Sequence, residues 1–211
     1  MLKISPYNNM MKKLPSAFYQ RADVLQIAKE LLGKVLITNR NGIVTSGRIV
    51  ECEAYLGIID RASHAFGGRR TNRNEIMYGE AGTAYVYLCY GIHYLFNVVT
   101  NEKNIPHAIL IRALEPIEGI EKMLKRRKKK KLDYTLTKGP GSLSAALGIS
   151  VANNGISLQS KKIFIADDGF IPDKKTIGSS VRIGVEYSGE AAGYPYRFYI
   201  EGNPFVSGKH K

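Results

Sequence analysis

Two cysteines and four histidines in 211 residues are too few for several kinds of protein. Cys52 and Cys89 each fall inside a run that reads as strand, so they outline no disulfide framework, and two thiols alone make no zinc site. His64, His93, His107 and His210 are scattered without HxxxH or CxxC spacing, so no metal is expected. No apolar run reaches the length of a membrane span, and the start lacks the basic, apolar and small-residue order of a signal peptide. We therefore expect a soluble, cytoplasmic protein with no membrane partner. Acidic residues are also short: 18 against 31 basic ones, a formal charge of +13. Such a surplus favours polyanionic partners, nucleic acid first, although charge alone does not separate DNA from RNA or from anionic lipid.

What is present suffices for one core. With 44% hydrophobic residues, the length suits a single compact domain over residues 14–208, between a flexible segment at 1–13 and a tail at 209–211. Asp23 precedes VLQIAKELLG, whose apolar spacing predicts a helix that Gly33 stops, and Ser16 is a candidate cap for a shorter segment before it. Strands are predicted at 34–38 and 45–55, joined through Asn41-Gly42, a strong hairpin signal. A polar stretch at 57–82 reads as a long functional loop. Further strands are expected at 83–88, 94–100 and 107–114, the last ended by Glu115-Pro116. Helices follow at 117–131 and 143–147, then strands at 162–166, 182–185 and 197–201. Strands at both ends with helices between predict an α+β fold, a mainly antiparallel, curved sheet with peripheral helices.

Three features point to chemistry. In IVECEAYLG, strand alternation puts Glu51, Glu53 and Tyr55 on one face and Val50, Cys52 and Ala54 on the other. Two acids at i and i+2 are costly if buried, and the pattern leaves open a solvent-facing strand with exposed carboxylates. In AYVYLCYG, Tyr85 and Tyr87 share a face and Gly91 turns the chain beside Tyr90, which would sit at a hairpin tip. A tip aromatic suits a wedge between bases and a wall tyrosine suits stacking, while ordinary packing is the commoner use of a tyrosine. In GGRRTNRN, Arg69, Arg70, Thr71 and Arg73 form a cluster suited to phosphate or to plain solvation. The LKRRKKKK run at 124–131 reads as a flexible, exposed source of nonspecific attraction.

With LPSAFY, RIVECEAYLG, HAFGGRRTNRN, YVYLCYG, IRALEPIEG, KGPGSL and RFYIEGNPFVS in order, the sequence resembles the alkyladenine (3-methyladenine) DNA glycosylase family, the type without a helix-hairpin-helix, over nearly its whole length. The resemblance implies a monofunctional enzyme without cofactor. It would flip alkylated or deaminated purines such as 3-methyladenine, 7-methylguanine, hypoxanthine or ethenoadenine from double-stranded DNA and hydrolyse the N-glycosidic bond, leaving an abasic site. It matches Glu53 to the general base, and Arg112 and the Ile183 carbonyl to groups that hold the attacking water. Tyr55, His64 and Tyr87 match the base sandwich, Asn97 the test for a purine 2-amino group, and Tyr90 the intercalating wedge. Arg69, Thr71 and Met77 match DNA contacts, to which their neighbour Arg73 is added as a backbone contact. A monomer is expected, nucleoid-associated if bacterial and nuclear if eukaryotic. The long N-terminal extension of some relatives is missing, so functions attached to it are expected to be missing too.

Rival readings remain at this stage. A lysine nucleophile would make the enzyme a lyase through a Schiff base. A noncatalytic nucleic-acid module would explain the charge and the tyrosines but not the two glutamates, and a metal nuclease would use both. Glu51 is expected to support Glu53 or to pair beneath the site.

Overall fold

The computed structural model describes residues 11–208. The outer parts of the two expected terminal segments, 1–10 and 209–211, lie outside the described residues. Within the first segment, β1 (Lys12–Lys13) already pairs with the sheet.

Helix α1 (Ser16–Tyr19) starts after Pro15, which holds the cap position expected for Ser16. In α2 (Val24–Leu31) the Asp23 side chain accepts from the Gln26 N–H at 2.9 Å, filling an N-terminal orphan donor. Its buried face is Val24, Ile27, Ala28 and Leu31, the spacing that predicted it.

The sheet is antiparallel throughout the described residues. Strands β2 (Val35–Arg40) and β3 (Ile43–Tyr55) form the expected hairpin, with Asn41 and Gly42 at φ 53° and 81°, the left-handed pair that a two-residue turn requires. Strands β4 (Ala84–Cys89) and β5 (His93–Thr100) form a second hairpin, and β6 (His107–Glu118) lies between β5 and β3. With β7 (Ile163–Asp167) the path runs β1-β7-β2-β3-β6-β5-β4. Strands β8 (Ile177–Ser180) and β9 (Arg197–Ile200) pair with each other, and β9 also joins the far half of β3.

One face of this open, curved sheet packs on α2, α3 (Ile120–Arg126) and α4 (Pro140–Leu147). Phe96, Val98, Ile109 and Ile111 meet Leu143, Leu147 and Met123 there. The opposite face carries Tyr85, Val99 and Ala108 against Ala65, Met77 and Tyr78 of the 57–82 segment. That segment is not structureless: it folds into three short 3-10 turns at Gly57–Ile59, Phe66–Gly68 and Glu75–Tyr78.

Four local expectations are corrected. Strand β6 continues through Pro116, opposite Gly47, because the ladder is irregular beside that pair and a missing N–H is tolerated where regular pairing lapses. The helix expected at 117–131 is confined to α3, because Gly119 (φ 74°) precedes it and Arg127 caps it. Residues 182–185 are not a strand. Gly184 is left-handed at φ 78° and Arg182 turns inward, so pairing ends at Ser180. Finally, Val50 does not share a face with Cys52 and Ala54. A bulge between Ile49 and Glu51 breaks the alternation, and Val50 packs with Ala113, Phe205 and Val206 instead.

Candidate active site

The register assembles the site in one row. Glu53 lies opposite Leu110, Leu110 opposite Asn97, and Asn97 opposite Tyr85. These residues from β3, β6, β5 and β4 therefore stand side by side on the face away from the helices. A cavity of about 740 Å³ opens over the row, lined by Tyr55, His64, Tyr87, Asn97, Arg112 and Ile183 among others. Those are six of the residues expected at the base and catalytic positions.

Both strand acids are fully buried, which resolves the ambiguity of the pattern. Glu53 Oε1 is 3.1 Å from Arg112 Nη1 and accepts from the Ile183 N–H at 2.8 Å. Its Oε2 accepts from the Tyr55 hydroxyl at 2.8 Å. Glu53 sits just behind the cavity wall, and all three of its partners line it. Ile183 therefore reaches Glu53 through its N–H, a contact beyond the carbonyl role expected for it. Glu51 is anchored separately. Arg112 Nε (3.0 Å), Arg197 Nε (2.7 Å) and the Ser207 hydroxyl (2.9 Å) donate to its Oε1, and the Ser207 N–H donates to Oε2 at 2.6 Å. Arg112 thus bridges the two carboxylates. Burial opposes its charge, yet Glu53, Glu51 and Tyr55 outweigh that and hold its pKa above the ordinary guanidinium value. Unpaired, these acids would each cost several kcal/mol, roughly the penalty for an isolated buried charge.

The pocket expected to take the base is an aromatic corner. The His64 ring packs edge-on to Tyr87 at 4.7 Å, and its Nδ1 lies 2.8 Å from the Tyr85 hydroxyl. Burial lowers the His64 pKa to about 4, helped by Arg73 and Arg69, so the ring is neutral at pH 7. Burial also raises the Tyr85 pKa to about 12, and it pushes Tyr55 and Tyr87 upward as well. The Asn97 amide donates to the Tyr85 carbonyl at 3.1 Å, which fixes its orientation at the wall.

Tyr90 occupies the tip of the β4–β5 hairpin, 89% exposed with φ 49° and followed by Gly91 at 73°. The GGRRTNRN loop is less pliable than its glycines suggest. Buried Asn74 donates to the His64 and Arg69 carbonyls at 2.9 and 2.8 Å and accepts from the Thr71 N–H and hydroxyl. Arg69, Thr71 and Arg73 remain exposed beside the cavity. Met77 does not: only 2% exposed, its side chain packs under the loop and into the cavity lining. The lysine run folds back on the end of α3. The Lys129 N–H returns to the Leu124 carbonyl at 2.9 Å, and its ammonium pairs with Asp133 at 2.8 Å.

Several residues escaped sequence reasoning. Arg182, fully buried at its side chain, grips Asp60 through both nitrogens, with Nη2 to Oδ1 at 2.8 Å, and its guanidinium lies 4.7 Å from the Tyr55 ring centroid. Arg197 and Ser207 anchor Glu51. The arginines opening RIG and RFYI were visible in the sequence, but no local pattern indicated that they turn inward.

Comparison with known proteins identifies the family. Residues 17–204 match the methylpurine-DNA glycosylase family. A Clostridium perfringens (strain SM101) protein named for a 3-methyladenine DNA glycosylase is 46% identical over 93% of this chain and 100% of its own. Proteins of the same name from Bacillus cereus (strain AH820) and Bacillus anthracis (strain CDC 684) are each 48% identical over 92% of this chain and 98% of theirs. The chain belongs to the methylpurine-DNA glycosylase family, and so to the monofunctional DNA-repair glycosylases that hydrolyse N-glycosyl bonds.

Proposed function

We propose that the chain extrudes a damaged purine from duplex DNA into the aromatic cavity and cleaves its glycosidic bond with a water activated by Glu53. The observation that carries this reading is the setting of Glu53: a buried carboxylate, held by Arg112, Ile183 and Tyr55, behind an aromatic-walled cavity with room for a purine. As the C1′–N bond breaks, positive charge develops on the sugar. A carboxylate that accepts a proton from water and lies near that charge assists twice. Tyr55, Tyr87 and His64 form the walls, Asn97 tests the purine edge, and Tyr90 fills the gap left in the stack. Arg69 and Thr71 meet the DNA backbone, and Arg73 stands beside Tyr87 at the cavity wall. The enzyme works as a monomer, without cofactor, in the cytoplasm on the bacterial chromosome.

No lysine among the described residues lines the cavity, which favours water over an amine as nucleophile. Oε1 of both Glu51 and Glu53 faces arginine, a setting that repels a divalent cation and disfavours the nuclease reading. Glu53→Gln should retain binding to lesion-containing duplex and lose base release. Unchanged release would overturn the assignment, and borohydride trapping of an enzyme–DNA adduct would restore the lyase.

A further inference from the structure

The three arginines of the GGRRTNRN loop are not equivalent. Arg70 is neutralised by Glu75 at 2.6 Å and lies over Tyr78. Arg73 has no carboxylate within ion-pair distance among the described residues. Its guanidinium carbon lies 5.2 Å from the centroid of the Tyr87 ring, and the side chain lines the cavity. The buried carboxylate of Glu53 is already committed to Arg112. A positive charge on an exposed side chain therefore stands over one wall of the pocket, with no carboxylate paired to it among the described residues.

Resting on the base-pocket reading above, we infer that Arg73 is a specificity residue that filters bases by charge, disfavouring purines that carry positive charge and assisting the departure of neutral ones. The depressed His64 pKa, to which Arg73 and Arg69 contribute after burial, agrees with a positive potential in this corner. A purine alkylated on a ring nitrogen carries positive charge while attached to the sugar, and it would stack on Tyr87 within a few ångströms of Arg73. Like charges that close repel, less so as salt screens them. When its C1′–N bond breaks, the electron pair passes to the ring and the base leaves neutral. A neutral lesion behaves oppositely. The same electron pair leaves its base anionic until a proton arrives, and a guanidinium beside the ring stabilises that developing charge. In both cases the water oxygen bonds to C1′ and its proton passes to Glu53.

The test compares kcat/KM for release of hypoxanthine, neutral in DNA, with release of 3-methyladenine, cationic in DNA, at fixed salt. Neither base has a 2-amino group, so Asn97 treats them alike. Any general loss of backbone affinity cancels in the ratio of the two. Arg73→Gln should lower the neutral-to-cationic ratio about tenfold, the scale of one unit charge acting over several ångströms near a protein surface. Arg73→Lys, which keeps the charge, should preserve the ratio. If Arg73→Gln releases both bases with the parent's ratio, the filter is wrong and the glycosylase reading stands. If the parent protein releases neither base, the pocket reading fails and the filter fails with it.

Discussion

The Ile183 N–H donates to Glu53 Oε1 at 2.8 Å across 130 positions of sequence. That amide is held in place by its neighbour. Arg182 donates to Asp60 and to the Ala54 and Ala191 carbonyls, fastening the 182–185 segment to the end of β3.

Asp60→Ala should therefore damage both stability and base release, although Asp60 has no bond to Glu53. Removing it leaves the Arg182 charge buried beside Tyr55, a change that typically costs about 3–5 kcal/mol. Urea denaturation should show that loss. At saturating DNA and a temperature where the variant is folded, the single-turnover rate should fall as well. A parent-like rate would mean that the Ile183 amide does not depend on this pair.

Glu51→Gln should destabilise the protein more than Glu53→Gln. In the second variant the new NH₂ can donate to the Tyr55 oxygen, because a phenol also accepts. In the first, an NH₂ at the Oε2 position faces the Ser207 N–H, donor against donor, while the opposite orientation sets it against Arg112 and Arg197. The difference should be about 1–3 kcal/mol, the usual penalty for a buried unsatisfied group. Equal midpoints in urea would count against this network. Activity should order the pair the other way, with Glu53→Gln the more impaired in release.

Tyr90 is an exposed aromatic in a left-handed conformation, an arrangement that costs about 1–2 kcal/mol for a residue with a Cβ. Stability does not explain its presence. Tyr90→Gly should thus leave the thermal midpoint unchanged or raised, yet reduce release from duplex DNA. Release of a damaged base from single-stranded DNA should suffer less, since no stack must be opened there. An equal loss on both substrates would argue against a wedge.

Local structure was legible where a local cause sets it. The Asn41-Gly42 turn, the α2 face and the Tyr90 tip follow from left-handed propensity and helical spacing within a few residues. Alternation also set Glu53 apart from Cys52, but it failed at Val50 because a bulge is a property of two strands and leaves little trace in one. The partners of the acids were hidden for a related reason. Arg197 and Ser207 meet Glu51 across 146 and 156 positions, and Arg182 meets Asp60 across 122. Before pairing is known, a buried arginine reads like any other basic residue, and this chain has many.

The lysine run offers a test of DNA footprint. Arg127 donates to the Ser142 hydroxyl at 3.0 Å, and Ser142 lines the cavity. The ordered turn at 127–131 is thereby fixed near the cavity rim, with exposed Lys128, Lys130 and Lys131 beside it. Replacing these three by alanine should flatten the dependence of log affinity on log salt by up to about 0.9 per lysine that meets a phosphate. The single-turnover rate at saturating DNA should hold. An unchanged salt slope would place the run away from the duplex.

His64 should leave a pH signature in stability. Its ordinary pKa of 6.5 falls to about 4 in the folded chain, chiefly through burial. Between those values the unfolded chain binds a proton that the folded one does not, so stability rises with pH across the window and is lost as pH falls from 6.5 toward 4. Above 6.5 this residue contributes no slope. His64→Asn keeps a polar group near the Tyr85 hydroxyl but cannot titrate, so its melting temperature should decline less steeply over the same interval. A variant whose curve parallels the parent's would show that other groups cause the acid loss. The same neutrality bears on base release. With Nδ1 engaged by Tyr85, the ring has one further nitrogen for the purine, and it stays neutral from pH 6 to 8. Any inflection in the parent's release rate within that range must then arise elsewhere, and it should persist in His64→Asn even if the rate itself drops.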